Sequence, residues 1–223
     1  MKKICVLLSI ITILALSVVL CACGETPAEE KTDNVCYMQE VFYCGKTKDF
    51  EVRLSGGIGE AMFVADGQAV DVAPFVTLTL VPLHVDLFND AYTFVLTGSQ
   101  GTMEGTLAKD SFGASYTASL GDVAKVGEPT SVTVSSENTQ ATVEIANMLA
   151  NSITGTKAME VAEAHLKDKL SADNKEREVY VKYINDAEAE GSAYYWYVAY
   201  IASPTDYYAV LVNDAGKIVS TNP

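Results

Sequence analysis

The sequence predicts an all-β sandwich of immunoglobulin-like size over residues 35–150, followed by a small α+β domain over residues 151–223. Three observations support this fold class. Apolar and polar residues alternate through the first region, which is typical of half-buried antiparallel strands. Turn-forming residues separate these runs at short intervals. A single stretch with helical spacing follows Gly155, after which the alternation returns.

The first region predicts seven to nine short strands, as expected for a sandwich of about 115 residues. Alternation is clearest in five runs, at 50–54, 76–80, 92–96, 132–135 and 142–145. Turn residues fall between them, at 55–57, 66–67, 97–101, 127–129 and 137–139. The cysteine–tryptophan–cysteine pattern of antibody domains is missing, because the only tryptophan is Trp196.

The second region predicts one helix laid on an antiparallel sheet. Apolar residues recur three and four positions apart, which is the spacing of an amphipathic helix, and Thr156 is a suitable N-cap. The members of this stripe are Met159, Ala162, Leu166 and Leu170. Four strand-like runs follow, at 178–183, 194–201, 207–212 and 217–220, and Gly216 supplies a tight turn before the last.

The N-terminus carries an export signal. Lys2 and Lys3 precede an almost wholly apolar run at 4–20, and the run ends in Leu-Cys-Ala-Cys at 20–23. This ending resembles the lipobox of bacterial lipoproteins. The resemblance implies that residues 1–22 are a signal peptide, that Cys23 carries lipid, including acyl chains such as palmitate, and that the protein is held at the outer face of the bacterial cell membrane. An uncleaved membrane anchor is the alternative.

The residues after the signal are strongly acidic. Positions 1–22 contain two lysines and no acid, so the rest has 13 basic and 29 acidic residues and a formal charge of −16. Such a charge excludes nucleic acid as a partner, because phosphate contacts need clustered Lys and Arg. It also repels anionic lipid, so the lipid on Cys23 must supply membrane attachment. Residues 23–34 are short, polar and acidic, which predicts a flexible tether.

Two cysteines remain beyond Cys23. Cys36 and Cys44 are eight positions apart, which on a straight strand is about 26 Å and too far for a disulfide. No Gly, Pro or Asn between them favours a chain reversal. They are therefore interpreted as buried strand cysteines, with a disulfide as the alternative.

Residues 157–162, Lys-Ala-Met-Glu-Val-Ala, and 208–219, Tyr-Ala-Val-Leu-Val-Asn-Asp-Ala-Gly-Lys-Ile-Val, resemble the helix and closing hairpin of the PepSY family. The turn of this closing hairpin is one residue shorter than is usual in that family. The resemblance covers about 66 residues and implies a small extracytoplasmic α+β module. The family includes peptidase propeptides and surface proteins that restrain peptidases or bind peptides, and it has no catalytic residues.

No catalytic or metal-binding constellation emerges. His84 and Asp86 lack a nucleophile motif such as Gly-x-Ser-x-Gly, and His165 lies beside the helical stripe. The glycines at 56, 57 and 59 lack a phosphate-loop ending and predict a turn. The acids at 186, 188 and 190 are too sparse for a calcium loop and predict a solvated hairpin tip. We therefore expect no enzyme activity, no cofactor and no metal, with an envelope hydrolase as a remote alternative.

The most unusual composition lies at 194–200, Tyr-Tyr-Trp-Tyr-Val-Ala-Tyr. One face of this strand must cover the helix, and the other offers an aromatic contact surface if nothing buries it. Tyr194, Trp196 and Tyr200 are the candidate binding residues, with burial on both faces as the alternative. The resulting hypothesis is a non-catalytic module that binds a peptide or envelope protein. A PepSY-type regulator of a secreted peptidase is the second hypothesis.

Overall fold

A computed structural model describes residues 34–111, 113–173, 175–185 and 193–222. Residues Asn34–Pro223 form one compact unit. Its described part is mostly β-strand and contains one α-helix, so the coarse prediction of a β-rich chain with a single helix near the C-terminus is confirmed. The strands are β1 (Val35–Lys46), β2 (Phe50–Glu60), β3 (Val72–Pro82), β4 (Ala91–Gly98), β5 (Gly101–Lys109), β6 (Tyr116–Ser119), β7 (Pro129–Ser135), β8 (Gln140–Glu144), β9 (Ala146–Asn147), β10 (Glu178–Asn185), β11 (Tyr194–Ser203), β12 (Asp206–Val212) and β13 (Ile218–Asn222), and the helix α1 is Gly155–Asp173.

All thirteen strands belong to one sheet with the order β13-β12-β11-β10-β1-β2-β3-β6-β5-β4-β7-β8, and β9 pairs with β1. The helix and four strands expected after residue 150 occur in the predicted order. They do not build a sheet of their own, because β10 pairs in parallel with β1, Val35 opposite Val179. A separate C-terminal α+β sheet was therefore the wrong expectation. The parallel pairing joins strands about 140 positions apart, which local sequence patterns do not reveal.

The N-terminal part of the sheet curls around its own core. β9 directly follows β8 and pairs with β1, with Tyr43 opposite Asn147. The N-terminal part of the sheet therefore starts at β1 and closes on β1 again. Apolar side chains of the seven strands β2 to β8 pack together inside the curled part of the sheet. They form one of two hydrophobic clusters, which we call the second cluster, and it includes Phe50, Leu78, Leu96 and Val132. Alternation puts every other residue of these strands into that core, as the sequence pattern predicted.

The other hydrophobic cluster, which we call the first cluster, lies between α1 and one face of the strands β10 to β13 and β1. The predicted stripe is confirmed, since Met159, Ala162 and Leu166 are buried there and Leu170 packs against them. The predicted N-cap at Thr156 was wrong. The helix begins at Gly155, and the Thr154 hydroxyl accepts the Lys157 N–H at 3.2 Å, so Thr154 is the capping residue.

The glycines at 56, 57 and 59 lie inside β2, so the predicted turn at this position was wrong. They allow close approach to the neighbouring strands. A Cβ at Gly57 would lie 2.0 Å from the Met38 carbonyl oxygen, and one at Gly59 would lie 3.1 Å from the Tyr37 ring. Glycine interrupts the alternation that identifies a strand, which is why the pattern suggested a turn.

Both cysteines lie on β1 and both are free, which confirms that they are strand residues without a disulfide. Cys36 is buried and its thiol donates to the Val179 carbonyl oxygen at 3.3 Å. Cys44 is half-buried rather than buried. Among the described residues, no helix has both the length and the apolar character that crossing a membrane requires.

Candidate functional site

The three predicted binding residues lie on the face of β11 that packs against α1. Trp196 and Tyr200 are buried in the first cluster, and Tyr194 packs partly exposed at its margin. The Trp196 indole N–H donates to the Ser152 hydroxyl at 2.9 Å and to the Ile153 carbonyl at 3.0 Å. Trp196 and Tyr200 therefore support the helix, and their rings are not accessible to a ligand in this structure.

In the part of the chain that the structure describes, no helix packs on the opposite face of β11 and its neighbouring strands β10, β12 and β1. We call it the outer face. Side chains alternate along a strand, so the residues between those of the first cluster point to this side. Its members are Tyr37 of β1, Phe75 of β3, Tyr180, Lys182 and Ile184 of β10, Tyr195, Tyr197 and Ile201 of β11, and Tyr207 and Leu211 of β12. All of them except the exposed Lys182 and Tyr207 are half-buried.

Aromatic rings form a continuous row across this face. The Tyr37 ring lies 5.3 Å from Phe75 and stacks on Tyr180 with centroids 4.6 Å apart. Tyr180 then meets the Tyr197 ring edge-on at 6.4 Å. These spacings are those of favourable ring pairs. The row crosses β3, β2, β1, β10 and β11, and the bare backbone of Gly59 on β2 leaves space beneath the Tyr37 and Phe75 rings.

A groove of about 510 Å³ continues the row toward the edge of the sheet. Its walls are apolar and aromatic on the β11–β12 side and polar on the β13 side. It is lined by Ile184, Tyr197, Tyr207, Ala209, Val210, Leu211, Ser220, Thr221 and Asn222. β13 ends the strand order, so among the described strands one of its edges is unpaired and offers backbone N–H and C=O groups beside the groove.

The environment of the row raises the pKa values of its phenols further above physiological pH. Burial, and then the neighbouring Tyr180 hydroxyl, raise the pKa of Tyr37 to about 12. Burial is also the main cause that raises the pKa of Tyr180 and of Tyr197. At physiological pH these rings present hydroxyl groups and apolar faces without charge. The row is therefore suited to stacking and hydrogen bonding rather than to proton transfer.

The histidines that the sequence analysis considered for catalysis or metal binding do not form a shared site among the described residues. His84 is exposed, with its Nε2 3.9 Å from an Asp49 carboxylate oxygen and 3.0 Å from the Lys48 carbonyl oxygen. His165 Nε2 lies 3.0 Å from the Thr221 hydroxyl, at the helix surface. Cys23 and the acids at 186, 188 and 190 lie outside the described residues. Within the described ranges, no three His, Cys, Asp or Glu side chains are grouped as metal ligands would be.

Comparisons with protein families, with characterised proteins and with solved structures gave no match to this chain.

The outer-face row was not predicted from the sequence. Its rings come from four strands spread over residues 37–197, and the pairing of β1 with β10 joins the Tyr37–Phe75 half of the row to the Tyr180–Tyr197 half. The one available signal was Tyr195 and Tyr197 on the second face of the aromatic strand.

Proposed function

We propose that this protein is an extracytoplasmic lipoprotein, tethered through lipid on Cys23, that binds an extended peptide or a segment of an envelope protein without catalysis. The binding surface is the outer face and its groove. The observation that carries the proposal is the row of uncharged aromatic rings leading into the groove beside the free edge of β13. We further propose that the two hydrophobic clusters correspond to the predicted sandwich and PepSY-like domains, which share one sheet.

An extended peptide suits this surface for two reasons. The free edge of β13 can pair with a peptide backbone, while the groove accepts alternate side chains, as in known strand-addition complexes. Aromatic rings at a sheet surface supply contact area at a low cost in side-chain entropy. The chain without residues 1–22 has a formal charge of −16, so peptides that contain Lys or Arg associate with it faster than acidic ones.

The test begins with selection of peptides from a random displayed library against the lipid-free chain. The dissociation constant of an enriched peptide is then measured by calorimetry for Tyr197→Ser and Leu211→Ser, both in the groove. We expect each change to weaken binding about tenfold or more, since each removes a large part of an apolar contact. Val85→Ser is the control, because Val85 is 89% exposed and lies beyond the far end of β3.

Two outcomes contradict the proposal. Failure to enrich any peptide argues against a peptide-binding surface. Equal affinity of the groove variants and the control places binding elsewhere on the molecule. Far-UV circular dichroism of each variant separates lost contacts from lost folding.

A further inference from the structure

The connection between β2 and β3, residues 61–71, exposes apolar side chains in succession. We call it the apolar loop. Met62 is 82% exposed, Phe63 47% and Val64 57%, and Val70 across the loop is 56% exposed. Single exposed apolar residues are common on proteins, but a contiguous group marks a surface that meets another apolar phase or partner.

Hydrogen bonds give the apolar loop a defined shape. Glu60 Oε1 accepts the Val70 N–H at 2.6 Å across its base. Asp66 Oδ1 accepts the Gln68 N–H at 3.1 Å, and the Asp66 N–H donates to the Val64 carbonyl oxygen at 2.8 Å. The turn is therefore held by its carboxylates. Within the segment 62–64, the Phe63 ring packs against Tyr180 of the outer face with centroids 5.6 Å apart, while Met62 and Val64 are the more exposed side chains.

The apolar loop is fastened to the point where the chain enters the fold. The Asn34 side-chain amide donates to the carbonyl oxygens of Gly67 and Arg177, each at 2.8 Å, and Asn34 Oδ1 accepts the Ala69 N–H at 2.8 Å. Cys23 precedes Asn34 by eleven positions, which can span at most about 38 Å. A lipid on Cys23 would thus limit the distance between the membrane and Asn34, to which the apolar loop is bonded, to about 38 Å.

We propose that the apolar loop is a membrane-contact element that inserts Met62 and Val64 into the outer leaflet. The inference rests on the tether of the proposed function, and it adds a second point of attachment that fixes the orientation of the body. The acidic residues Glu60, Asp66 and Asp71 flank the insertion, so the loop favours zwitterionic over anionic lipid.

Depth-dependent quenching tests the insertion directly. The chain from Cys23 onward is coupled through that thiol to maleimide lipid in phosphatidylcholine vesicles, with Met62→Trp as the probe and Val85→Trp as the control. The two positions are similarly exposed and lie beyond opposite ends of β3. The native Trp196 is buried and gives a constant background. We expect brominated phosphatidylcholine to remove about half of the added signal at position 62 and about a tenth or less at position 85.

A second measurement does not depend on coupling. The uncoupled chain is titrated with phosphatidylcholine vesicles, and changing Met62 and Val64 together to serine should weaken its partitioning about tenfold or more, while Val85→Ser leaves it unchanged. Equal quenching at positions 62 and 85, or equal partitioning of the two variants, overturns the inference. A lipid-independent blue shift of the position 62 signal that grows with protein concentration also overturns it, because a second copy then covers the loop. None of these readouts involves a peptide, so failure of the proposed binding function is recognised separately.

Discussion

Leu166→Ala should lower the free energy of unfolding by about 3 kcal/mol. Leu166 is 1% exposed and lies in the middle of α1, within the first cluster against the sheet. Truncation to alanine removes three carbon atoms. Their transfer from water to the protein interior stabilises the native fold by about 2.4 kcal/mol, at about 0.8 kcal/mol for each carbon. The cavity that the truncated side chain leaves, after partial collapse, accounts for the rest of the expected loss of stability. The helix forms an outer layer that can move toward the sheet, so the lower half of the usual range applies.

The assay is urea unfolding followed by tryptophan fluorescence. Trp196 is the only tryptophan and lies in the same cluster as Leu166, so its emission reports the loss of this packing. With a urea dependence of about 3 kcal/mol per molar, suitable for a unit of this size, the midpoint should fall by about 1 M. Lys167→Ala is the matched control, because its side chain is exposed on the same helix and its loss should change stability by no more than about 0.5 kcal/mol.

A midpoint change below about 0.3 M for Leu166→Ala, or one equal to that of Lys167→Ala, would refute the reasoning, because it would mean that the helix does not seal the first cluster. Far-UV circular dichroism must show that both variants retain native secondary structure before unfolding. Measurement of the urea dependence for each variant is also needed, since a change in slope would signal an altered unfolded state.

Three further predictions concern single positions on the strands β1 and β10. Glu178 is fully buried, and burial, followed by the Glu60 charge, raises its pKa, while the backbone N–H groups of Gly67 and Asp66 act in the opposite direction. Glu178→Gln should therefore raise the urea midpoint at pH 7, and the gain should shrink as falling pH protonates the wild-type carboxyl; an equal gain at all pH values would contradict this. Burial raises the pKa of Cys36 to about 12, so iodoacetamide should label this thiol only when the protein unfolds, and labelling as fast as in urea would be inconsistent with the fold. A Cβ on Gly45 would lie 1.9 Å from the Glu144 carbonyl oxygen, so Gly45→Ala should lower stability by about 2 kcal/mol in thermal or urea unfolding, whereas Gly121→Ala, with open space around it, should not.

The sequence predicted those features that depend on neighbouring residues. Alternation located β2, β3, β4 and β7, and the three- and four-residue spacing located α1, because each pattern reports one apolar face of one element. It also indicated an aromatic strand at β11, although it assigned the binding role to Trp196 and Tyr200, which lie beneath the helix. The face of a strand that a helix covers depends on the path of the whole chain, and no local pattern contains that information.

The parallel pairing of β1 with β10 and the stacking of Tyr37 on Tyr180 were beyond sequence reasoning. Both depend on residues more than 140 positions apart. The glycine-containing segment of β2 was misread for a related reason. A glycine signals a turn when considered alone, but here it provides space for rings that arrive from distant strands.

The shared strand β1 has a consequence for how the chain folds during synthesis. β1 contributes Val35, Met38 and Phe42 to the first cluster, while its second half closes the curled sheet through β9. It is the first strand of the fold to be made, but its parallel partner β10 comes about 140 residues later. One edge of β1 therefore stays unpaired until β10 has been synthesised, and until then a chaperone or another unfinished chain can pair with it.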